Sequence, residues 1–283
     1  MKNTDSIAPF LKWVGGKRQL IPALSPLFPK SYTTYCEPFL GGGAMLFALQ
    51  PEKAIVNDVN GELINVYKVV RDHVDELIAA LKKHVNTYEH FQVVRGLDRD
   101  AVKYASLSDA EKAARIIYLN KTCFNGLYRV NKKGQFNVPF GSYKNPKICD
   151  EENLRNVSMV LKNVKIIYAD YRESKDFIDE KTFVYIDPPY RPLNITSSFT
   201  SYTENDFSDK EQIELANYID SLNEKGAKVV ISNSDPKNTN ENDNFFDDLY
   251  KNYNINRVKA NRMLNSKANS RGEINELLIT NYK

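Results

Sequence analysis

The segment VYIDPPY (184–190) joins an apolar run to an acid, two prolines and an aromatic ring. Pro188 and Pro189 have no backbone N–H, so a strand that enters this segment ends at Asp187. The residue before a proline is held extended, which stiffens the chain beyond the strand. A carboxylate, at least one unpaired carbonyl and the ring of Tyr190 therefore project past a strand end. In isolation such a segment is more often a turn with a capping acid, so its role depends on its neighbours.

A second segment, EPFLGGGAML (37–46), places a glycine turn between a strand and a helix, where a ligand can reach backbone N–H groups. Leu46 stands where the dinucleotide fingerprint requires a third glycine after Gly41 and Gly43, so the pattern disfavours NAD. Asp58 ends the next apolar run, where a doubly wound site places its ribose-binding acid. Taken singly, these residues could form a tight turn and a helix cap. Together they predict a site for an adenosine ligand without a 2′-phosphate.

The only tryptophan, Trp13, lies between Lys12 and Lys17 and beside two consecutive glycines. Trp13 could be an ordinary core residue and Lys17 an ordinary surface residue. Paired glycines with cations and one aromatic ring more often face a ligand, and we interpret the segment in that way.

A basic segment, LYRVNKKGQFNVPFGSYKNPK, occupies residues 127–147. YRV and FNV flank a polar loop with one glycine, which predicts a β-hairpin. Its cations are interleaved with aromatic side chains: Arg129, Lys132, Lys133, Lys144 and Lys147 with Tyr128, Phe136, Phe140 and Tyr143. Such a run is commonly only a solvated face. These residue types also suit a DNA groove, because lysines contact phosphate, arginine reads guanine, and amides such as Asn125 and Asn137 read adenine.

Short apolar runs that alternate with helical patterns predict the elements that position these residues. The runs are TTYCEPF (33–39), KAIVNDV (53–59), VKIIYAD (164–170), TFVYID (182–187), AKVVISNS (227–234) and INELLITNYK (274–283). Apolar strands separated by helices predict a mostly parallel sheet covered on both faces, which is an α/β fold. Capping boxes mark the starts of two helices, Ser108 with Glu111 and Ser208 with Glu211.

A mostly helical stretch, followed by the predicted hairpin, interrupts this alternation between the second and third strands. We therefore expect residues 1–61 and 161–283 to form one domain and residues 62–160 to form a smaller, inserted domain.

The composition limits the functional classes. A hydrophobic content of 42% in 283 residues supports a sizeable core, while a net charge of +3 gives only weak support for a nucleic-acid partner. His73, His84 and His90 lack paired metal-ligand spacing, so we predict no metal. We expect a cytoplasmic protein without a membrane partner, because the chain has no signal peptide and no apolar run of membrane length. We also expect a monomer in solution. Three cysteines without a C-x-x-C pattern fit a reducing compartment.

The adenosine site and the Asp187 segment both lie where open α/β sheets bind ligands, beyond the carboxyl ends of the strands. A carboxylate and a backbone carbonyl could both accept hydrogen bonds from one amino group while Tyr190 stacks on the ring that bears it. A nucleobase flipped out of a duplex meets this description.

In order along the chain, KWVGGK, EPFLGGG, a strand-end ND, FNGLYRVN…GQFNVPFGSYKNP, AD and DPPY resemble the Dam-type DNA adenine-N6 methyltransferases. The resemblance covers nearly the whole chain and is greatest to members that methylate GATC. It implies a Rossmann-like core that uses S-adenosylmethionine, with residues 62–160 as the target-recognition domain for double-stranded DNA. Ser142 departs from the pattern, because some members carry arginine at that position.

The resemblance assigns roles to individual residues. It implies cofactor contacts from Trp13, Lys17, Gly41, Gly43, Asp58, Asp170, Tyr171 and Asp187. It implies DNA contacts from Lys12, Asn125, Leu127, Arg129, Pro139 and Tyr143, to which the basic segment itself adds Lys132, Lys133 and Asn137. The catalytic segment would be Asp187, Pro188, Pro189 and Tyr190.

The expected reaction starts from a poor nucleophile, because the lone pair of the adenine amino group is conjugated into the ring. Hydrogen bonds from N6 to the Asp187 carboxylate and the Pro188 carbonyl would aim that lone pair at the methyl group. A cytosine-N4 or protein-glutamine methyltransferase could share the same segment. A non-catalytic DNA-binding protein is the alternative from another class, and the intact glycine turn with Asp58 argues against it.

Overall fold

The computed structural model describes residues 7–13, 15–191, 207–261 and 273–283. Within these residues, seven strands form one sheet: β1 (Thr34–Glu37), β2 (Ala54–Asp58), β3 (Val164–Tyr168), β4 (Thr182–Ile186), β5 (Lys228–Ser234), β6 (Asn254–Asn261) and β7 (Glu273–Thr280). Ten α-helices accompany them: α1 (Ile21–Leu24), α2 (Ala44–Leu49), α3 (Gly61–Asp72), α4 (Val74–Leu81), α5 (Tyr88–Gly96), α6 (Ala101–Ala105), α7 (Asp109–Thr122), α8 (Glu151–Leu161), α9 (Asp209–Glu224) and α10 (Phe245–Leu249).

The strand order is β3-β2-β1-β4-β5-β7-β6. β4 runs parallel to β1 and to β5, whereas β7 is antiparallel to both β5 and β6. This arrangement confirms the predicted α/β class. The carboxyl ends of β1, β4 and β5 meet at one edge of the sheet, which is where the residues that follow these strands converge.

The chain packs as two compact units. The first unit comprises the described residues within 1–16, 40–51 and 56–170, and the second comprises those within 17–39, 52–55 and 171–283. The first unit contains α2 to α8, and the second contains α1, α9 and α10.

The helices of the first unit enclose a core beside the basic segment. Phe91, Val94, Tyr118 and Leu119 from α5 and α7 pack with Phe136 and other buried residues of that segment. The predicted capping box at Ser108 and Glu111 opens α7. The basic segment is therefore anchored by its apolar side chains, while its lysines stay exposed.

The predicted hairpin forms as a tight turn with isolated antiparallel bridges. Val130 is bridged to Phe136, and Cys123 is bridged to Phe140. The backbone N–H of Asn131 donates to the carbonyl of Gln135 at 2.8 Å, which closes the turn. We call residues 129–137 the recognition turn.

The apolar core of the second unit includes β4 and β5, both buried along almost their whole length. The second predicted capping box forms at the start of α9, where the N–H of Ser208 donates to Glu211 Oε2 at 2.9 Å. No helix in the described ranges combines the length and the apolar character needed to cross a lipid bilayer.

Candidate functional site

Asp187 lies directly after β4, at the strand end that the sequence predicted. β4 and β5 are in register at Ile186 and Ile231, so the next residue of β5, Ser232, lies beside Asp187. The Ser232 hydroxyl donates to Asp187 Oδ1 at 3.0 Å, and Lys17 Nζ is also 3.0 Å from Oδ1. Lys17 is almost fully buried, with 6% of its side chain exposed, so this ion pair is shielded from solvent.

The two oxygens of the Asp187 carboxylate have different surroundings. Both Lys17 and Ser232 bind Oδ1, while neither Oδ2 nor the carbonyl of Pro188 accepts a hydrogen bond from a described residue. Burial raises the pKa of Asp187, and the Lys17 ammonium and the Ser232 hydroxyl oppose that rise. The strand end thus presents two acceptors: the Pro188 carbonyl and Oδ2 of a carboxylate that is held in place through its other oxygen.

Hydrogen bonds also fix the rest of the DPPY segment. The side-chain amide of Gln212, on α9, donates to the carbonyl of Pro189 at 3.2 Å. Gln212 in turn accepts a hydrogen bond from the side-chain amide of Asn233 on β5, also at 3.2 Å. The prolines are consequently held by β5 and α9 together.

Tyr190 is held by its hydroxyl and by one face of its ring. The hydroxyl donates to the carboxylate of Glu276 on β7. Lys17 Nζ lies 4.3 Å from the ring centroid, a cation–π contact. Burial raises the pKa of Glu276 and raises that of Tyr190 well above its usual range. Lys17 therefore ties Asp187 and Tyr190 into one cluster.

In the first unit, Asp58 holds the glycine turn. Its carboxylate accepts the N–H of Gly41 and the N–H of Asn60, each at 2.9 Å. Burial raises the pKa of Asp58, and these backbone donors oppose the rise. Gly43 has φ +65°, and a Cβ there would lie 2.6 Å from the hydroxyl of Tyr67, so the turn requires glycine.

Trp13 covers this glycine turn. A Cβ placed on Gly41 or Gly42 would lie 3.0 Å or 2.9 Å from the Trp13 side chain. The indole of Trp13 also stacks on the ring of Tyr128, with 5.3 Å between the ring centroids and 23° between the ring planes. Three of the predicted cofactor residues, Trp13, Gly41 and Asp58, therefore lie together.

Asp170 and Tyr171, the predicted cofactor residues that follow β3, have different surroundings. The side-chain amide of Asn57 in β2 donates to the carbonyl of Ala169 at 3.0 Å, which links the end of β2 to the residue before Asp170. Tyr171 belongs to the second unit, where its ring stacks on Phe39 at 5.0 Å.

Several predicted DNA contacts lie together in the first unit. Lys12 Nζ is 5.0 Å from the ring centroid of Tyr143, whose hydroxyl accepts the backbone N–H of Asn125 at 3.0 Å. Asn125 is exposed and has φ +55°, a conformation that amide side chains tolerate better than most. Leu127 follows as the residue that closes this short turn.

The recognition turn carries the remaining predicted DNA contacts. Arg129 Nε donates to Asn137 Oδ1 at 2.7 Å, so these two residues bind each other across the turn. Lys132, Lys133 and Pro139 are exposed. Beyond the turn, Ser142 is exposed and has φ +53°.

Comparison with known proteins identifies the family. Residues 13–264 match the model of the D12 class N6 adenine-specific DNA methyltransferases. The chain belongs to this family. The expected reaction, methylation of the N6 amino group of adenine in DNA, is thereby confirmed, and the cytosine-N4, protein-glutamine and non-catalytic alternatives are set aside.

Similar proteins cover the chain from end to end. It is 45% identical to the Type II methyltransferase M1.LlaDCHI of Lactococcus lactis subsp. cremoris, over 99% of this chain and 98% of the relative. It is 46% identical to the Type II methyltransferase M.MjaIII of Methanocaldococcus jannaschii, over 98% of this chain and 99% of the relative. It is 32% identical to the DNA adenine methylase of Escherichia coli K12, over 95% and 93%.

The site residues suit the cofactor that this methyltransferase family uses. S-adenosylmethionine carries an adenosine, and the first unit offers a mostly buried carboxylate at a strand end, Asp58, beside a glycine turn and an indole ring. A carboxylate can accept hydrogen bonds from ribose hydroxyls, and an indole can cover an apolar or aromatic surface.

Sequence reasoning missed four residues that hold the DPPY segment: Ser232, Gln212, Asn233 and Glu276. It named Tyr128 in the basic segment but not its stacking on Trp13. Ser232 and Asn233 are polar residues that directly follow the apolar run of β5, and Glu276 is an acid within the apolar run of β7. Polar side chains inside apolar strands were the available signal. Gln212 gave no signal, because polar residues are ordinary on a helix.

Proposed function

We propose that this protein transfers a methyl group to the N6 amino group of adenine in GATC sites of duplex DNA, with Asp187 and Pro188 as the hydrogen-bond acceptors for that amino group. The supporting observation is the division of the Asp187 carboxylate. Lys17 and Ser232 hold Oδ1, whereas Oδ2 and the Pro188 carbonyl have no donor among the described residues. Two fixed acceptors at one strand end match the two N–H bonds of an amino group.

The two acceptors activate the amino group by changing its geometry. When both N–H bonds donate to fixed acceptors, the nitrogen becomes more tetrahedral and its lone pair leaves conjugation with the ring. When bound, S-adenosylmethionine would supply the methyl group directly, without a covalent protein intermediate. The bond from N6 to the methyl carbon would form as the bond from sulfur to that carbon breaks, S-adenosylhomocysteine would leave, and N6 would lose one proton to solvent. The protein contributes positioning and electrostatic stabilisation, terms that are worth several kcal/mol in enzymes.

Tyr190 stacks on the extruded base. An enzyme that acts on a base of a duplex first turns that base out of the helix, and aromatic side chains stabilise the extruded state. Lys17 occupies one face of the Tyr190 ring, and Glu276 fixes its hydroxyl, so the ring is oriented before a base arrives.

The cofactor binds in this proposal to Trp13, Gly41, Gly43 and Asp58, with Lys17, Asp170, Tyr171 and Asp187 completing the set. The strongest support is the cluster in the first unit, where Asp58 holds Gly41 and Trp13 covers the turn. Lys17 has a further role on Asp187 as its buried counter-ion.

Residues 62–160 form the target-recognition domain in this proposal, and residues 1–61 and 161–283 form the catalytic domain. Exposed cations of the recognition turn supply phosphate contacts, and Lys12, Asn125, Arg129 and Tyr143 supply contacts to bases. The choice of GATC rests on the resemblance of FNGLYRVN and FNVPFGSYKNP to GATC-specific members of the family.

The variant Asp187→Ala tests the assignment of the acceptor. Loss of one aimed hydrogen-bonding group at a reacting centre slows the chemical step by roughly a hundredfold or more. Mass spectrometry of nucleosides from DNA treated with the wild type should show N6-methyl-2′-deoxyadenosine and no N4-methyl-2′-deoxycytidine. DNA treated with Asp187→Ala should show almost none of the methylated adenine nucleoside. The circular dichroism spectrum, the melting temperature and DNA binding of the variant control for folding. A variant that keeps about a tenth of the wild-type rate would show that Asp187 is not the acceptor.

A further inference from the structure

Tyr128 belongs to the basic segment, but its ring is more than a simple surface contact. The ring is partly buried, stacks on Trp13 at 5.3 Å and meets Phe136 of the recognition turn edge-on at 6.0 Å. One side chain thus contacts both the recognition turn and the residue that covers the glycine turn.

Trp13 connects Tyr128 to the glycine turn and Asp58. Trp13 lies against Gly41 and Gly42, and the N–H of Gly41 is bound to Asp58 at 2.9 Å. A displacement of the Tyr128 ring would therefore change the stacking contact with the Trp13 indole, which covers the glycine turn.

The hydroxyl of Tyr128 provides a second link to the same cluster. Burial raises the pKa of Tyr128 to about 12, while the nearby side chain of Asn60 acts in the opposite direction. The backbone N–H of Asn60 donates to Asp58 Oδ1 at 2.9 Å. Asn60 therefore lies near Tyr128 and also donates to Asp58.

A cavity next to Tyr128 leaves room for its ring to change position. The cavity has a volume of about 250 Å³, and its lining includes Tyr128, Tyr104, Arg115 and Gln135. Close-packed side chains cannot shift without displacing their neighbours, whereas a ring at a cavity can adopt a second position. Coupling between two sites requires an element with two such arrangements.

We propose that Tyr128 is a positioning residue that couples DNA contact at the recognition turn to the glycine turn that binds the cofactor. DNA that engages the turn fixes Phe136 and Tyr128, which presses Trp13 onto Gly41 and Gly42. The inference rests on the proposed placement of S-adenosylmethionine beside Trp13. Since coupling is reciprocal, bound cofactor must strengthen DNA binding by the same factor.

The test compares the affinity for S-adenosylhomocysteine with and without DNA. Calorimetry on the full chain would use a short duplex that carries the site identified by modified-base sequencing, so the test does not depend on GATC. We expect DNA to tighten binding by at least about fivefold in the wild type, and by a factor of about one in Tyr128→Leu. Tyr128→Phe keeps the stacked ring and should retain most of the coupling.

A matched control is Tyr88→Leu, which removes an exposed tyrosine of the same unit that contacts Phe140. This control should keep the wild-type ratio. A second measurement needs no variant, because Trp13 is the only tryptophan. DNA alone should change its fluorescence emission in the wild type.

The outcomes separate this inference from the cofactor placement. If Trp13→Leu leaves the affinity for S-adenosylhomocysteine unchanged, both the placement and the coupling are wrong. If Trp13→Leu weakens that affinity but Tyr128→Leu keeps the wild-type ratio, the coupling alone is wrong. Trp13 emission that does not respond to DNA would likewise overturn the coupling.

Discussion

At the scale of single residues, Ser232 and Lys17 together hold the Asp187 carboxylate. Both bind the same carboxylate oxygen, and both oppose the rise in the pKa of Asp187 that burial causes. Because Lys17 and Ser232 both donate to Oδ1, a proton would go to Oδ2, which would then face adenine N6 as a donor and not as an acceptor. Ser232 should therefore influence the pH dependence of the reaction without contacting substrate.

Replacing Ser232 with alanine should move the acid limb of the pH profile. The variant lacks a hydrogen bond that lowers the pKa of Asp187, so this pKa rises further. As pH falls, the carboxylate then becomes protonated at a higher pH, and kcat/KM declines earlier than in the wild type.

Ser234→Ala is the matched control for this experiment. Ser234 lies two residues further along β5 and is also buried, but its hydroxyl has no hydrogen-bond partner among the described residues. Its removal should leave the acid limb unchanged. An acid limb that stays in place in Ser232→Ala would show that the Ser232 hydroxyl does not tune Asp187.

Tyr190 should matter chiefly through its ring. Stacking on an aromatic side chain contributes about 1–3 kcal/mol per base, so Tyr190→Ala should slow methylation by about tenfold to a hundredfold. Tyr190→Phe keeps the ring and loses only the hydrogen bond to Glu276, so its effect should be much smaller. Equal losses in the two variants would argue against stacking. A fluorescent adenine analogue at the target position should also brighten when the wild type binds.

At the scale of elements, we propose that the recognition turn makes two kinds of DNA contact. Arg129 is oriented by Asn137, with a distance of 2.7 Å from Nε to Oδ1, whereas Lys132 and Lys133 are exposed at the tip. An oriented guanidinium can bind a guanine edge through two hydrogen bonds, while exposed lysines contact phosphate without regard to sequence.

This difference predicts distinct effects of two substitutions on the same turn. Arg129→Ala should relax specificity at one guanine-bearing pair, a loss of about 1–3 kcal/mol of discrimination. Lys132→Ala should weaken binding to all sequences and reduce the salt dependence by about one unit of slope. Methylation of a library of site variants at several salt concentrations measures both effects. A uniform loss across all sites in Arg129→Ala would identify Arg129 as a phosphate contact.

Local sequence signals predicted the elements whose stability is local. The capping boxes at Ser108 and Ser208 both form, because a cap depends only on residues within one helical turn. The sequence analysis did not identify β6, which has only three apolar residues, Ile255, Val258 and Ala260, at unequal spacing and lies at the sheet edge. Its strand character depends on pairing with β7, a contact that no local pattern encodes.

At the scale of the whole molecule, the sequence predicted that Asp187 follows a buried strand but did not reveal the residues that hold the DPPY segment in place. The DPPY motif identified Asp187 and Tyr190 directly, because consecutive prolines after an apolar run are distinctive. The ion pair of Lys17 with Asp187 and the hydrogen bond of Tyr190 to Glu276 each join residues that are far apart in the sequence. Such contacts follow from the order of the strands, which is a property of the complete fold.

The most direct test of the central claim is the methylation state of GATC in a plasmid from a methylation-free host that expresses this protein. We predict that the plasmid resists a nuclease that cuts only unmethylated GATC and is cut by one that requires methylated GATC. A plasmid from cells that express Asp187→Ala should show the reverse pattern, which excludes methylation by the host. Complete cutting of the wild-type plasmid by the first nuclease would contradict the assignment of GATC.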